Sequence, residues 1–377
     1  MYMILLSFPL FVFSFFWMLL NSSLKKMMSF LCVMWLSLLI SCFYLNGNDW
    51  SIYYLSFLDN GTPFSSFEFG FVFLFKGLLY FFSDSFGLSI LFLYFICFSF
   101  LASVLNKYKC NTPVFFAFLI LALGFSLVLE QLRQFIACIM VFCSFLNFSY
   151  IRRNYLTWVI GASCFHSSAL IIIPIYILLK LKKDSYFSIV SLLSFVFIFF
   201  GLIVSKPLFN SLADVNFIFS KINYYLSLSA VEIKFGFLNV FDFAFIFLYF
   251  FKIKNNVVGG DDSILRIIFI GALIHLLSSS VPLFGRISYY FYFILIFYFS
   301  KQSFVFSRYI EASKIYKNSF FVIFILFNLA SYFRNPIAPI YFLQMNTNAT
   351  YLYNGNDGLF WLAQKKLSSS SKLDASR

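Results

Sequence analysis

Four short stretches set ionisable side chains among apolar residues: Glu68 in "FEFG", Arg133 in "LEQLRQFIACIMVF", His166 in "CFHSSALIIIP" and Arg286 in "PLFGRISYYFYF". Each residue type has its own use. Arginine stays charged and presents a planar fork that fits phosphate or carboxylate oxygens. Histidine titrates near neutral pH and suits general-base work. A carboxylate such as Glu68, Asp49 or Asp59 can take a proton, or can simply keep an acidic loop solvated. A charge at or inside a membrane is costly, so each such residue is a functional candidate by default.

Structural roles compete with these. Arg133 can pair with Glu130 three residues earlier, a helical-spacing contact of a few tenths of a kcal/mol. His166 can be a hydrogen-bonded packing residue at a kink, with Ser167 and Ser168 satisfying freed backbone groups. Arg286 can anchor a Tyr-rich helix at the interface. Asp242 and His275 fall at similar depth in neighbouring spans and read as a hydrogen-bonded pair, while Arg266 lies near a helix end and can snorkel.

The elements that carry these residues follow from composition. The 377 residues are 62% hydrophobic and 11% charged, with a mean hydropathy of +0.90, far from what a soluble domain can hide from water. The fold class is therefore all-α, a polytopic integral membrane protein with about eleven or twelve helical crossings of roughly 20 residues each. Residues 1–358 form a single membrane domain and 359–377 a polar tail, read as disordered or interfacial. Fifteen of the 27 basic residues fall in loops assigned to the cytoplasm, among them Lys25/Lys26, Lys107/Lys109, Arg152/Arg153 and the cluster Lys301 to Lys317. This topology places the N-terminus outside, with spans near 4–20, 28–45, 87–105, 113–129, 134–150, 185–204, 237–251, 264–280, 287–300 and 319–333. Residues 154–180 join two basic loops and are expected as two short legs turning at His166, and 64–82 as an interfacial or re-entrant helix. Arg133, His166 and Arg286 then share the extracytoplasmic side.

The formal charge of +13 is divided among short loops that face anionic headgroups, so it does not point to nucleic acid. The seven cysteines show no CxxC or metal spacing and read as packing residues. The first apolar run has no basic lead or cleavage site and reads as a retained helix.

Residues 129–178 resemble the core of the EpsG-like branch of Wzy-type O-antigen and exopolysaccharide polymerases. An "RQ" pair opens a helix (Arg133/Gln134), a basic turn follows (Arg152/Arg153), and a Phe-His-small-Ala block (Phe165, His166, Ser167, Ser168, Ala169) precedes an aliphatic segment. Glu68-Phe69-Gly70 matches the family's early acidic element without its proline, and Arg286 with Tyr289 and Tyr290 matches a late arginine before tyrosines. The resemblance implies a GT-C-like membrane fold and a polymerase acting at the periplasmic face of the bacterial inner membrane. It would move a growing glycan from undecaprenyl diphosphate onto a lipid-linked repeat unit, with no cofactor and no metal.

On that reading Arg133 and Arg286 stabilise the departing diphosphate and His166 is the base, with Glu68 or Asp49 as rivals. Glu130, Gln134, Asp49, Tyr289 and Tyr290 are expected to contact substrate. The expected partners are the lipid-linked oligosaccharides, membrane lipid and a chain-length regulator. The main competitor is a lipid-linked oligosaccharide flippase or other transporter, which should show an internal repeat and charge along a membrane path. Neither is visible. A membrane O-acyltransferase would also use histidine but needs an acyl-donor route that no segment suggests.

Overall fold

The computed structural model describes residues 2–17, 19–47, 49–58, 67–212, 239–254, 262–278, 282–301, 322–323, 326, 349–352, 356 and 358–375. Every regular element among them is helical. Lipid offers no hydrogen bonds, and a helix satisfies its backbone within itself. In chain order the helices are α1 (Tyr2–Trp17), α2 (Ser22–Phe43), α3 (Trp50–Leu58), α4 (Phe69–Phe81), α5 (Phe86–Lys107), α6 (Thr112–Leu123), α7 (Leu132–Leu146), α8 (Tyr155–Ser163), α9 (Ile172–Leu179), α10 (Asp184–Leu212), α11 (Asn239–Lys254), α12 (Asp262–Ser278), α13 (Pro282–Lys301) and α14 (Leu359–Ala375). Among the described residues, Ser22–Asn46, Phe86–Lys107, Thr112–Leu129 and Leu132–Ile151 are long and apolar enough to cross a bilayer. With the shorter apolar helices they make a polytopic, all-helical membrane protein.

Helix starts follow local chemistry. Asn21, Ser85 and Asn111 cap α2, α5 and α6, each side-chain oxygen accepting from the backbone N–H three residues on. Residues 154–180 form the two short legs that their basic flanks imply: α8, a 3-10 turn at Ser167–Ile171, then α9. The 64–82 stretch contributes α4, 13 residues or about 20 Å long. Its Phe71, Phe75, Leu78 and Leu79 are buried, while Phe69, Phe73, Lys76 and Tyr80 are exposed. The tail corrects the expectation of disorder, because Leu359–Ala375 is helical and packs on α3. The span expected at 319–333 lies almost entirely outside the described residues, as do Asp59, Arg308, Lys314 and Lys317.

The chain divides into two compact units, one of residues 1–140, 161–167 and 296–377, the other of 141–160 and 168–295. In the first, α1 packs on α6, α2 on α5, and α4 on α5. Tyr94, Phe98, Phe116 and Phe135 interlock there through tilted, stacked and edge-on ring contacts. Aromatic pairs of this kind add about 0.5–1.5 kcal/mol each beyond area burial.

In the second unit, α12 packs against α10 and α11. Arg266 on α12 is anchored by neighbouring segments. It donates to Asp184 Oδ1 from Nε at 2.8 Å and Nη2 at 2.6 Å, lies over the Phe187 ring, and donates to the backbone oxygens of Leu179, Leu181 and Lys182 at the end of α9. A guanidinium thus fills the role of a C-terminal helix cap. The pairing expected of Asp242 and His275 is present, with Nδ1 and Oδ2 2.7 Å apart. Asn239 Nδ2 donates to the same carboxylate oxygen at 2.9 Å, and Tyr292 Oη lies 3.3 Å from His275 Nε2.

Candidate active site

The helix carrying Arg133 begins at a break in regular structure. After α6 the chain widens into a π turn, Gly124–Leu129, and α7 starts at Leu132. π segments inside helices are uncommon and concentrate at functional sites, because they re-aim neighbouring side chains at a cost in backbone bonding. That cost is offset here by specific partners. Tyr94 Oη donates to Val128 O at 2.6 Å, and Gln131 Nε2 donates to Ser126 O at 2.9 Å. The two contacts fix the turn, and with it the point from which Arg133 projects.

Arg133 meets Glu68, not Glu130. Its Nη1 donates to Glu68 Oε2 at 2.6 Å, and its Nε lies 3.4 Å from Tyr53 Oη. The guanidinium sits over the Phe67 ring, 4.9 Å from its centroid. Both members of the ion pair are largely buried, with side-chain exposures of 23% and 16%. Breaking a buried pair by removing one partner is strongly destabilising, because the other charge stays uncompensated.

Glu68 also holds the turn at His166. Its second oxygen, Oε1, accepts the backbone N–H of Ser167 at 3.2 Å. Residues 164–166 close the end of α8 by bonding back to Gly161 and Ala162, and Cys164 O accepts the N–H of Gly70 at 2.8 Å. A Cβ on Gly70 would lie 2.7 Å from Cys164 O and 2.9 Å from Cys164 Cβ, so only glycine allows α4 to start against this turn. The "FEFG" element thereby acquires a physical meaning: Phe67 stacks, Glu68 pairs, and Gly70 permits the approach.

Burial acts to raise the Glu68 pKa, but Arg133, His166 and the Ser167 N–H outweigh it and hold the carboxyl below the ordinary glutamate value. Glu68 is accordingly a fixed anion at neutral pH. Burial, reinforced by Asp49, pushes the Tyr53 phenol above its usual range, so Tyr53 stays protonated and can donate to Asp49 Oδ2, 3.5 Å away. Asp49 is thus connected to Arg133 through Tyr53.

Other expected residues are placed as follows. Gln134 is buried on α7, and Glu130 is half-buried in the turn before it. Arg286 is exposed in the second turn of α13, in the second unit, where Tyr290 is buried with its Oη 2.8 Å from Ser168 Oγ and Tyr289 is half-buried. Among the described residues no three His, Cys, Asp or Glu side chains gather as a metal-binding group. Sequence reasoning missed Tyr53, Phe67 and the Ser167 N–H. Only Phe67, adjacent to Glu68, carried any local signal.

This arrangement joins a charged fork, a fixed carboxylate and a histidine within one unit. It can hold an anionic group at the arginine, and it sets His166 within electrostatic reach of the Glu68 carboxylate. No curated protein and no solved structure matches the chain. A family model does, over residues 26–345, a span that takes in Glu68, Arg133, His166 and Arg286. The chain belongs to the EpsG family and is a polysaccharide-polymerase-like membrane protein.

Proposed function

We propose that the protein is a polysaccharide polymerase of the inner membrane that transfers a growing glycan from undecaprenyl diphosphate to the terminal sugar of a lipid-linked repeat unit at the periplasmic face. The observation that carries this reading is the Arg133–Glu68 pair, 2.6 Å long, with the Ser167 N–H on the second carboxylate oxygen and His166 acting electrostatically on the same carboxyl. In the transfer, an acceptor hydroxyl attacks the anomeric carbon and loses its proton to His166. The bond from that carbon to the phosphate oxygen breaks, and undecaprenyl diphosphate departs with the electron pair.

Arg133 stabilises the charge developing on the diphosphate. Its contacts to Glu68 and Tyr53 engage two of the five N–H donors of a guanidinium and fix the fork before substrate arrives. Glu68, held ionised, stabilises the imidazolium formed when His166 takes the proton. Arg286, with Tyr289 and Tyr290 on its helix, is expected to contact the lipid-linked substrate. Arg133 fills the part that a divalent cation has in many cytosolic glycosyltransferases, so the reaction is expected to be metal-independent. A chain-length regulator is the expected protein partner, and Glu130 and Asp49 are expected to contact substrate.

The test is incubation of purified, detergent-solubilised protein with its lipid-linked repeat unit, with and without EDTA, read by gel. A ladder of multimers unaffected by EDTA, lost in Arg133→Ala and reduced in His166→Ala, is the expected result. No ladder, together with protein-dependent transbilayer movement of the same lipid in liposomes, would overturn the reading in favour of a transporter.

A further inference from the structure

The C-terminal helix reaches the loop that backs the Arg133 turn. Lys366 on α14 donates from Nζ to Leu45 O and Asn46 O, each at 3.2 Å, and to Gly47 O. These carbonyls lie at the end of the helix formed by α2 and the 3-10 turn Tyr44–Asn46, where backbone oxygens have no partner of their own and the helix dipole favours a cation. The ammonium also lies 6.0 Å from the Trp50 ring centroid at the start of α3.

The loop so held presses on the site. A Cβ on Gly47 would stand 2.8 Å from Leu129 O and 3.3 Å from Leu129 C, so the backbone of residue 47 abuts the last residue of the π turn. Three residues farther on is the start of α7, and Arg133 follows. On the other side of the loop, α3 carries Tyr53, which contacts Arg133, and α14 packs on α3. One lysine therefore braces two supports of the same guanidinium: the turn that launches it and the helix that bonds its Nε.

We propose that Lys366 is a positioning residue for the polymerase reaction, clasping the 45–47 loop and α3 against the Leu129–Arg133 turn so that Arg133 keeps the orientation it has with Glu68. This rests on the function proposed above, but its structural part can be tested without it. Burial lowers the ammonium pKa to about 8 while Glu130 pulls it upward, so at neutral pH Lys366 remains charged and keeps three N–H donors for three carbonyls. The polar "KKLSSSSK" composition of the tail gives no hint of this, because the partners lie some 320 residues away.

The experiment compares the full-length protein with Lys366→Met, which keeps the stem and removes the charge, and Lys366→Arg, which keeps charge and donors. Backbone hydrogen exchange is followed in the peptide covering 124–135, where Glu130, Gln131 and Phe135 N–H donate to Phe125, Leu127 and Gln131 oxygens. Lys366→Met should speed exchange there by about tenfold, the scale of one lost hydrogen bond to a charged group. The same variant should shorten the polymer ladder, and Lys366→Arg should restore both readouts. Unchanged exchange in Lys366→Met, or equal acceleration in both variants, would overturn the clasp. If exchange responds as expected and no form makes a ladder, the clasp stands and the polymerase reading fails.

Discussion

Gly70→Ala adds one methyl group, touches no chemistry, and should still disable the site. The added Cβ would meet Cys164 O at 2.7 Å and Cys164 Cβ at 2.9 Å, against an ordinary contact of 3.4 Å or more. The first turn of α4 must then move from the 164–167 turn by about 0.5–0.7 Å, because the nearest obstacle is backbone. The Ser167 N–H to Glu68 bond is already 3.2 Å and would pass beyond hydrogen-bonding range, and the Gly70 N–H to Cys164 O bond of 2.8 Å would stretch as well. Overpacking contributes about 1–3 kcal/mol and one weakened hydrogen bond about 1 kcal/mol, enough to strain the site without unfolding the chain. A shift approaching 1 Å at reacting groups can cost about 100-fold in rate, so a loss of roughly 10- to 100-fold in polymer formation is expected at retained protein level. Gly77→Ala is the internal control: it lies on the same helix with no atom within 4 Å, and should be neutral or stabilising by up to about 1 kcal/mol. Wild-type polymerisation in Gly70→Ala, or equal loss in Gly77→Ala, would refute the close approach of α4 to the His166 turn as a condition of activity.

Other substitutions separate the parts of the site. Arg133→Lys keeps the charge but loses the fork that spans Glu68 and Tyr53, and should reduce polymerisation by about 100-fold or more in the gel assay. The folded pKa of Glu68 lies below its unfolded value, so its contribution to stability is present above about pH 4.5 and is lost as pH falls through the folded value. Acid unfolding of Glu68→Gln, followed by tryptophan fluorescence in detergent, should lack that component, and its total stability at neutral pH should be lower. Asp242→Ala leaves His275 Nδ1 and Asn239 Nδ2 without their shared acceptor, and should destabilise the second unit by about 3 kcal/mol, read as earlier thermal aggregation.

The sequence alone determined the class and the local grammar of this protein. Its long continuous apolar runs call for helices, which satisfy the backbone in lipid within each segment, and basic loop residues mark where several of them begin and end. The short paired legs around His166 were legible from basic residues on both flanks, and the Asp242–His275 pair from matched depth in neighbouring helices. What tertiary structure decided is which partner each buried charge takes. Glu130 lies three residues from Arg133, yet the ion pair forms with Glu68, 65 positions away, because the π turn and the Gly70 contact bring α4 to α7. Lys366 finds its carbonyls some 320 positions away because α14 packs on α3. In a chain that is 62% hydrophobic and 11% charged, periodicity hardly distinguishes one helix face from another. The pairing of rare charges is therefore settled by packing, since a charge removed from water must meet whichever opposite charge or open helix end the fold delivers.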